Sequence, residues 1–482
     1  MSSEDTNPET TEPTARAVGG TEYSWCKSVV TGTGITVLTL LFSKPPDFPF
    51  LETALHYLQN SHPILRSKLR FDPTTKNFSF ATPSAATHKE IQQFDLSSTN
   101  EILENLSGFD AHIPPHHLIL EHELNRNTWL NPNHPLESES DLDHDFDLFF
   151  ASAYTLSDTQ WSLVLRLHTS VCDRSSAVTL LRELMKLSGG GDRGIQKEYE
   201  SEGKVSLGIE DYIPNGKDRK PFWARGMDLL GYSLNSFRLA NLEFVDANSP
   251  RYTKMVRLQM NPDDTERLVA GCKSSGIKLC GALAAAGLMA ARSTKDLLEH
   301  QMEKYGVVTL MDCRSLLDPI LNCNHIGFYH SAIMNSHDIS GEEKFWDAAK
   351  RCYTAFENAK NNNKHFTDMA DLNFLMCKAI ENPGITPSSA LRTAFLTVFE
   401  ETVIDESSKQ HGKIGLEDYI GCSSVHGVGP SIAIFDTIRD GRLDCACVYP
   451  SPLHSREQMQ KLIDDMKTIL VKGCNTIDCM ET

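Results

Sequence analysis

A chain of 482 residues is too long for one ordinary core and points to two domains, each able to bury a stable interior. With 40% hydrophobic residues, the composition is that of a soluble globular protein. A formal net charge of −18 argues against a general nucleic-acid or anionic-membrane binder, because phosphate contact needs clustered Lys and Arg. Thirteen cysteines are scattered without a CxxC pair, which reads as free thiols in a reducing compartment. Cys445 and Cys447 alternate with Ala446 in a strand-like run, so both point to one face and suit core packing better than metal binding. No basic region followed by an apolar core opens the chain, and the early apolar run 34–42 is too short to span a bilayer. The expectation is a cytoplasmic protein with no membrane span.

Residues 1–18 hold almost no large apolar side chains, so a disordered segment is expected over 1–19, with order from Gly20. Residues 35–42 are β-branched and apolar and suit a strand. Leu51, Leu55 and Leu58 recur at helical spacing over 50–60, ending before His62-Pro63. A strand is expected to resume over 64–69. Residues 116–121, His-His-Leu-Ile-Leu-Glu, read as strand-like; a zinc set of His112, His117 and His122 has no supporting partner spacing. Between 131 and 147, six acids (Glu137, Glu139, Asp141, Asp143, Asp145 and Asp147) occupy alternate positions. A one-faced row suits a solvated insertion better than the converging oxygens of a cation site.

Two strand-like runs follow, 148–156 and 161–167, with a turn at Ser157-Asp158-Thr159-Gln160 that predicts a hairpin. Residues 177–187 read as a helix that Ser175 or Ser176 can cap, stopped by three glycines at 189–191. Trp223, Met227, Leu230, Leu234 and Phe237 make one apolar helical face within 221–243. Its charges balance, which favours packing on the core or between domains over a membrane surface. Lys254–Met260 is strand-like, Pro262–Ser274 a helix with acids at its start, and 279–291 an Ala-rich helix. A strand over 306–312, a hairpin from 431 to 449 and a helix over 454–470 complete the pattern.

The segment Leu165-Arg166-Leu167-His168-Thr169-Ser170-Val171-Cys172-Asp173-Arg174 resembles the HHxxxDG active-site block of thioester-dependent acyltransferases. His62-Pro63-Ile64-Leu65-Arg66 is similar to an early HP-x-LR segment. Val308 to Arg314 resembles a strand ending in an arginine, and Ser423-Ser424-Val425-His426-Gly427 resembles a late segment before the final hairpin. In order and spacing these resemble the superfamily of chloramphenicol acetyltransferase, condensation domains and plant BAHD acyltransferases. The nearest group is the plant condensation-like, HxxxD-type one. The late DFGWG pattern of BAHD enzymes is absent.

The resemblance implies an α/β fold of two chloramphenicol-acetyltransferase-like mixed-sheet domains meeting at an inter-domain channel. The domains would be 20–206 and 251–482, joined by a linker with an amphipathic helix over 207–250. It implies acyl transfer from a thioester, acyl-CoA as co-substrate with no bound cofactor and no metal, to a small hydroxyl or amine acceptor, in a monomer. It also implies that His168, Thr169 and Asp173 occupy the catalytic block, with Asp173 and Arg314 as a structural ion pair and Arg174 as the competing partner. Cys172, Arg174, His330, Ser424 and His426 become channel candidates, and His325, His330 or His426 a substitute base.

The second histidine of the block is here Thr169, and its glycine is Arg174. If strand alternation persists, Thr169 continues the side of Leu163, Leu165 and Leu167, and His168 lies on the other. A threonine hydroxyl is no base at neutral pH, and Cys172 would need a depressed pKa to act as a nucleophile. Two functions therefore stand: an acyltransferase with an unassigned base, or a non-catalytic relative that binds a metabolite or a protein partner.

Overall fold

A computed structural model describes residues 14–107, 112–129, 145–188, 205–221, 223, 225, 226, 231, 238–386 and 390–477. The first half contributes β1 (Thr14–Ala17), β2 (Thr33–Phe42), β3 (Lys68–Asp72), β4 (Asn77–Thr82), β5 (Gln92–Phe94), β6 (Phe146–Asp147), β7 (Phe149–Ser157) and β8 (Gln160–His168). The second contributes β9 (Tyr252–Gln259), β10 (Glu303–Asp312), β11 (His330–Ile339), β12 (Arg392–Phe399), β13 (Val403–Asp405), β14 (Leu416–Val425), β15 (Gly429–Arg439) and β16 (Arg442–Ser451).

Two large mixed sheets result, as expected for the fold class. One runs β11-β10-β12-β15-β16-β9, with β13 on β15; the other runs β14-β2-β8-β7-β5. A small sheet, β1-β4-β3-β6, lies apart. All ten residues of β2 are buried, which fits a strand covered on both faces and paired on both edges. One of those edges comes from the second half: β14 runs antiparallel to β2, from Leu416 opposite Phe42 to Val425 opposite Thr33. The two halves of the sequence are therefore not two separate sheets, because 416–425 crosses over.

The second half packs on the Leu279–Ser293 helix. Its small residues let neighbours close in, and a Cβ on Gly281 would lie 2.8 Å from Tyr353 Cβ. The helix is almost wholly buried, and Cys445 and Cys447 belong to the same core. In the first half, Leu163, Leu165 and Leu167 pack against Leu180, Leu181 and Leu184 of the Arg174–Ser188 helix. Each such side chain contributes about 1.5–3 kcal/mol on full burial. Among the described residues no single helix is long and apolar enough to cross a membrane.

Several expectations are corrected. Order begins before Gly20, since Thr14–Ala17 pairs with β4; residues 1–13 lie outside the described residues. Pro63–Arg66 is a short helix, with proline at its first position, and the strand starts only at Lys68. His116 to Glu121 lie on the Pro115–Asn125 helix rather than in a strand, again behind a leading proline. Of the acidic row, Glu137, Glu139, Asp141 and Asp143 lie outside the described residues. Asp145 and Asp147 pair with Arg70 at 2.9 Å and Lys89 at 2.7 Å. The apolar face of Met227, Leu230, Leu234 and Phe237 lies outside them too, while Trp223 is exposed.

Candidate active site

A cavity of about 1130 Å³ lies between the two halves. One wall is β2, β14 and the Arg174–Ser188 helix; the other is β10, β11, β12, β15 and the Met369–Glu381 helix.

The end of β8 decides what the motif residues do. His168 is the last residue of the strand, opposite Ile35, and is fully buried. Its ring stands edge-on to Trp129 at 5.1 Å, and Nδ1 accepts from Ser170 N at 3.2 Å and Ser170 Oγ at 2.7 Å. Burial pushes its pKa down to about 3. Alternation has turned this histidine away from the cavity, so a catalytic placement for His168 is corrected. Thr169, one residue on, does line the cavity. Its Oγ1 lies 2.6 Å from Thr36 Oγ1, which lies 2.8 Å from Ser423 Oγ, giving a row of three hydroxyls.

The chain then makes one tight turn and enters the Arg174–Ser188 helix, with Asp173 at the junction. Asp173 Oδ1 accepts from Ser176 N at 2.8 Å, so the aspartate caps this helix, not Ser175 or Ser176. Oδ2 accepts from Tyr329 N at 2.8 Å. Arg314 meets both oxygens, Nη1 to Oδ2 at 2.9 Å and Nη2 to Oδ1 at 3.1 Å. His330 Nδ1 lies 3.0 Å from Oδ2, an ion-pair distance, without making a hydrogen bond. Burial alone would raise the Asp173 carboxyl; Arg314 and His330 outweigh it and hold the group far below the usual range.

Arg174 does not compete for Asp173. It crosses to the second half, with Nη2 3.1 Å from Asp436 Oδ1, a second bond to the Asp436 carbonyl, and Nη1 donating to Glu401 O at 3.0 Å. Its guanidinium lies over the Phe399 ring. Cys172 lines the cavity, but burial and the neighbouring Asp173 push its thiol up, which disfavours the thiolate a nucleophile needs.

His330 opens β11, opposite Asp312 of β10, and lines the cavity with rings of Phe328 and Phe399 nearby. Ser424 also lines it, but its Oγ is occupied, accepting from Ile35 N at 2.9 Å across the β14–β2 pair. His426 sits outside the lining and bonds Thr253 Oγ1 through Nδ1 at 3.0 Å; burial lowers its pKa to about 4. Gly32 at φ +96° packs on that ring so closely that any Cβ would overlap it. His325 is bonded to Asn322 and gives its carbonyl to Arg314.

Sequence reading missed Thr36, on β2 beside β8, and Ser423, whose strand is brought to them by the crossover. It also missed a polar group around His411 in the same cavity. His116, His117 and Asp418 bring ligand-type atoms within 4.8 Å of one another. Arg257 at 2.6 Å and Arg439 at 2.5 Å already occupy the Asp418 carboxylate, so this donor set does not favour a metal cation.

No protein-family model and no curated protein sequence matches the chain. Solved structures do. The chain is similar to trichothecene 15-O-acetyltransferase from Fusarium sporotrichioides, with a TM-score of 0.66 and 11% identity over 97% of this chain and 98% of that one. It is similar to the first condensation domain of the calcium-dependent antibiotic synthetase, solved with a substrate analogue, with a TM-score of 0.63 and 13% identity over 96% and 97%. A third is the X-domain of teicoplanin biosynthesis in complex with OxyB, with a TM-score of 0.59 and 16% identity over 96% and 94%. The chain has the fold of condensation domains and CoA-dependent acyltransferases.

Proposed function

We propose that this protein transfers an acyl group from a thioester, acyl-CoA in the first instance, to a hydroxyl or amine acceptor held in the cavity, with His330 as the base. One observation carries the reading: His330 lines the cavity with Nδ1 3.0 Å from Asp173, the aspartate of the motif. In this reading a small rotation of the ring lets Nδ1–H donate to the carboxylate, which leaves the Nε2 lone pair for the acceptor. The acceptor oxygen or nitrogen loses its proton to Nε2 and attacks the thioester carbonyl. The C–S bond then breaks, and the departing thiolate takes the proton back from the imidazolium. The row Thr169, Thr36 and Ser423 offers O–H groups to the charge that develops on the carbonyl oxygen. Holding both substrates together supplies several kcal/mol of the barrier.

The test is mass spectrometry of the purified protein with acyl-CoAs and a panel of alcohols and amines. Transfer is expected, with His330→Ala lowering it by roughly 100-fold or more. No transfer and no thioester binding would overturn the reading.

The second reading, a non-catalytic relative that binds a metabolite or protein, draws on Thr169 standing where the family's base stands and on the neighbour solved with a protein partner. It predicts ligand-dependent stabilisation without turnover. In either case we propose a monomer with no bound cofactor, and a reducing compartment such as the cytosol, which the free and mostly buried described cysteines support.

A further inference from the structure

The cavity has a second polar end. Asp405, Ser407, His411 and Tyr419 all line it. The Asp405 carboxylate accepts from Ser407 N at 3.0 Å, from Tyr419 O–H at 2.5 Å and from Ser407 Oγ. Ser407 Oγ also lies 2.9 Å from His411 Nε2. His411 Nδ1 stands 3.9 Å from Asp405 Oδ2, beyond hydrogen-bond reach, and its ring lies edge-on to Tyr419.

Counting protons assigns the roles. A serine hydroxyl has one proton and a carboxylate none, so the short Ser407–Asp405 contact requires Ser407 to donate to Asp405. Nε2 of His411 must then carry the ring proton and donate to Ser407. Burial and Arg439 keep the imidazole neutral against the pull of Asp405. Nδ1 is left as a lone pair with no donor from the described residues. It takes an O–H or N–H. A carboxylate or phosphate brings no proton and would face Asp405.

The position of this group follows from the Arg174–Ser188 helix. Arg182 Nη2 donates to Ile404 O at 3.2 Å, beside Asp405, whereas Asp173 and His330 sit at the helix start. Nine residues separate Asp173 from Arg182, about 13 Å at the helical rise. The wall between is apolar: Val178 and Leu181 from this helix, with Leu375 and Met376 of the Met369–Glu381 helix also lining the cavity.

We propose that Ser407 and His411 form a hydroxyl-recognition station, and that the ligand is an elongated aliphatic molecule whose distal end carries a hydroxyl, on the order of two helical turns along the cavity from the group held at Asp173 and His330. The assignment of which end reacts rests on the proposed acyl transfer; the binding does not.

Calorimetry with decanol and decanediol separates the two, because no turnover is read. The wild-type protein is expected to bind the diol about tenfold more tightly than the mono-alcohol, one hydrogen bond's worth. His411→Phe should erase the preference and keep decanol binding, and His411→Gln, whose amide oxygen still accepts, should keep part of it. Should His411→Phe fail to fold, Ser407→Ala removes the acceptor that fixes the ring tautomer and should weaken the preference. Equal affinity for both alcohols, or a preference that survives His411→Phe, would overturn the station even if acyl transfer is found.

Discussion

Asp173 and Arg314 are held together by two contacts, Nη1 to Oδ2 at 2.9 Å and Nη2 to Oδ1 at 3.1 Å, with both side chains almost completely buried. The aspartate caps a helix of the first half, and the arginine follows β10 of the second. A single carboxylate thus fixes a helix start, a loop at Tyr329 and the approach of the two walls.

Loss of this pair should be costly. Asp173→Asn leaves the buried guanidinium with Asp312, 3.0 Å from Nη1, as its remaining anion, and a destabilisation of up to roughly 3–5 kcal/mol is expected in denaturant unfolding. Arg314→Ala should cost a similar amount, and the double mutant less than the sum. Additive losses would mean that the two side chains do not interact in solution.

Arg174→Gly restores the glycine of the motif and should nonetheless destabilise. It strips Asp436, which is 1% exposed, of the cation at 3.1 Å. A loss of about 3–5 kcal/mol follows for a buried pair broken on one side. Asp436→Asn in the same background should recover part of it in thermal melts; no recovery would show that the ion pair is not what holds Arg174.

Thr169→His places an imidazole beside Thr36 on the cavity wall. Turnover of the proposed acyl transfer should rise and should become tolerant of His330→Ala. Single-turnover assays with both variants read this directly. A Thr169→His protein that folds but stays dependent on His330 would count against that wall as the site of proton transfer.

Acid should unfold the protein earlier than carboxylates alone require. An imidazole in the unfolded chain takes a proton near pH 6.5. Fully buried His168 takes one only near 3 and His454 near 4, burial being the main cause for both. Between those limits the unfolded chain binds more protons, so stability is complete above pH 6.5 and falls as pH falls. The slope is about 1.4 kcal/mol per pH unit for each histidine. His168→Gln should flatten the measured stability between pH 6 and 4 by about that amount. An unchanged slope would place His168 in contact with solvent.

The local pattern of the chain was legible where periodicity and packing agree. Alternation across β8 foretold that Thr169, not His168, would face the cavity side. The pairing of Asp173 with Arg314 was what the family resemblance implied. Prolines at 63 and 115 were the overlooked signals, each opening a helix where β-rich composition suggested strand. The hydroxyl row could not be read, because Thr36, Thr169 and Ser423 come from three segments far apart in sequence, β2, the turn after β8, and β14. The i, i+4 spacing of Ser407 and His411 was available but means nothing until β14 brings their loop to the cavity.

The crossing strand has a consequence for synthesis. β2 is buried along its whole length, yet one of its two edges is satisfied only by Leu416–Val425. A nascent chain leaving the ribosome therefore carries an open, apolar strand edge until Leu416–Val425 has been made, and such an edge is a template for pairing with other chains. The first half expressed by itself is expected to expose that edge and to self-associate. The two walls of the cavity are made in sequence but can be completed only together.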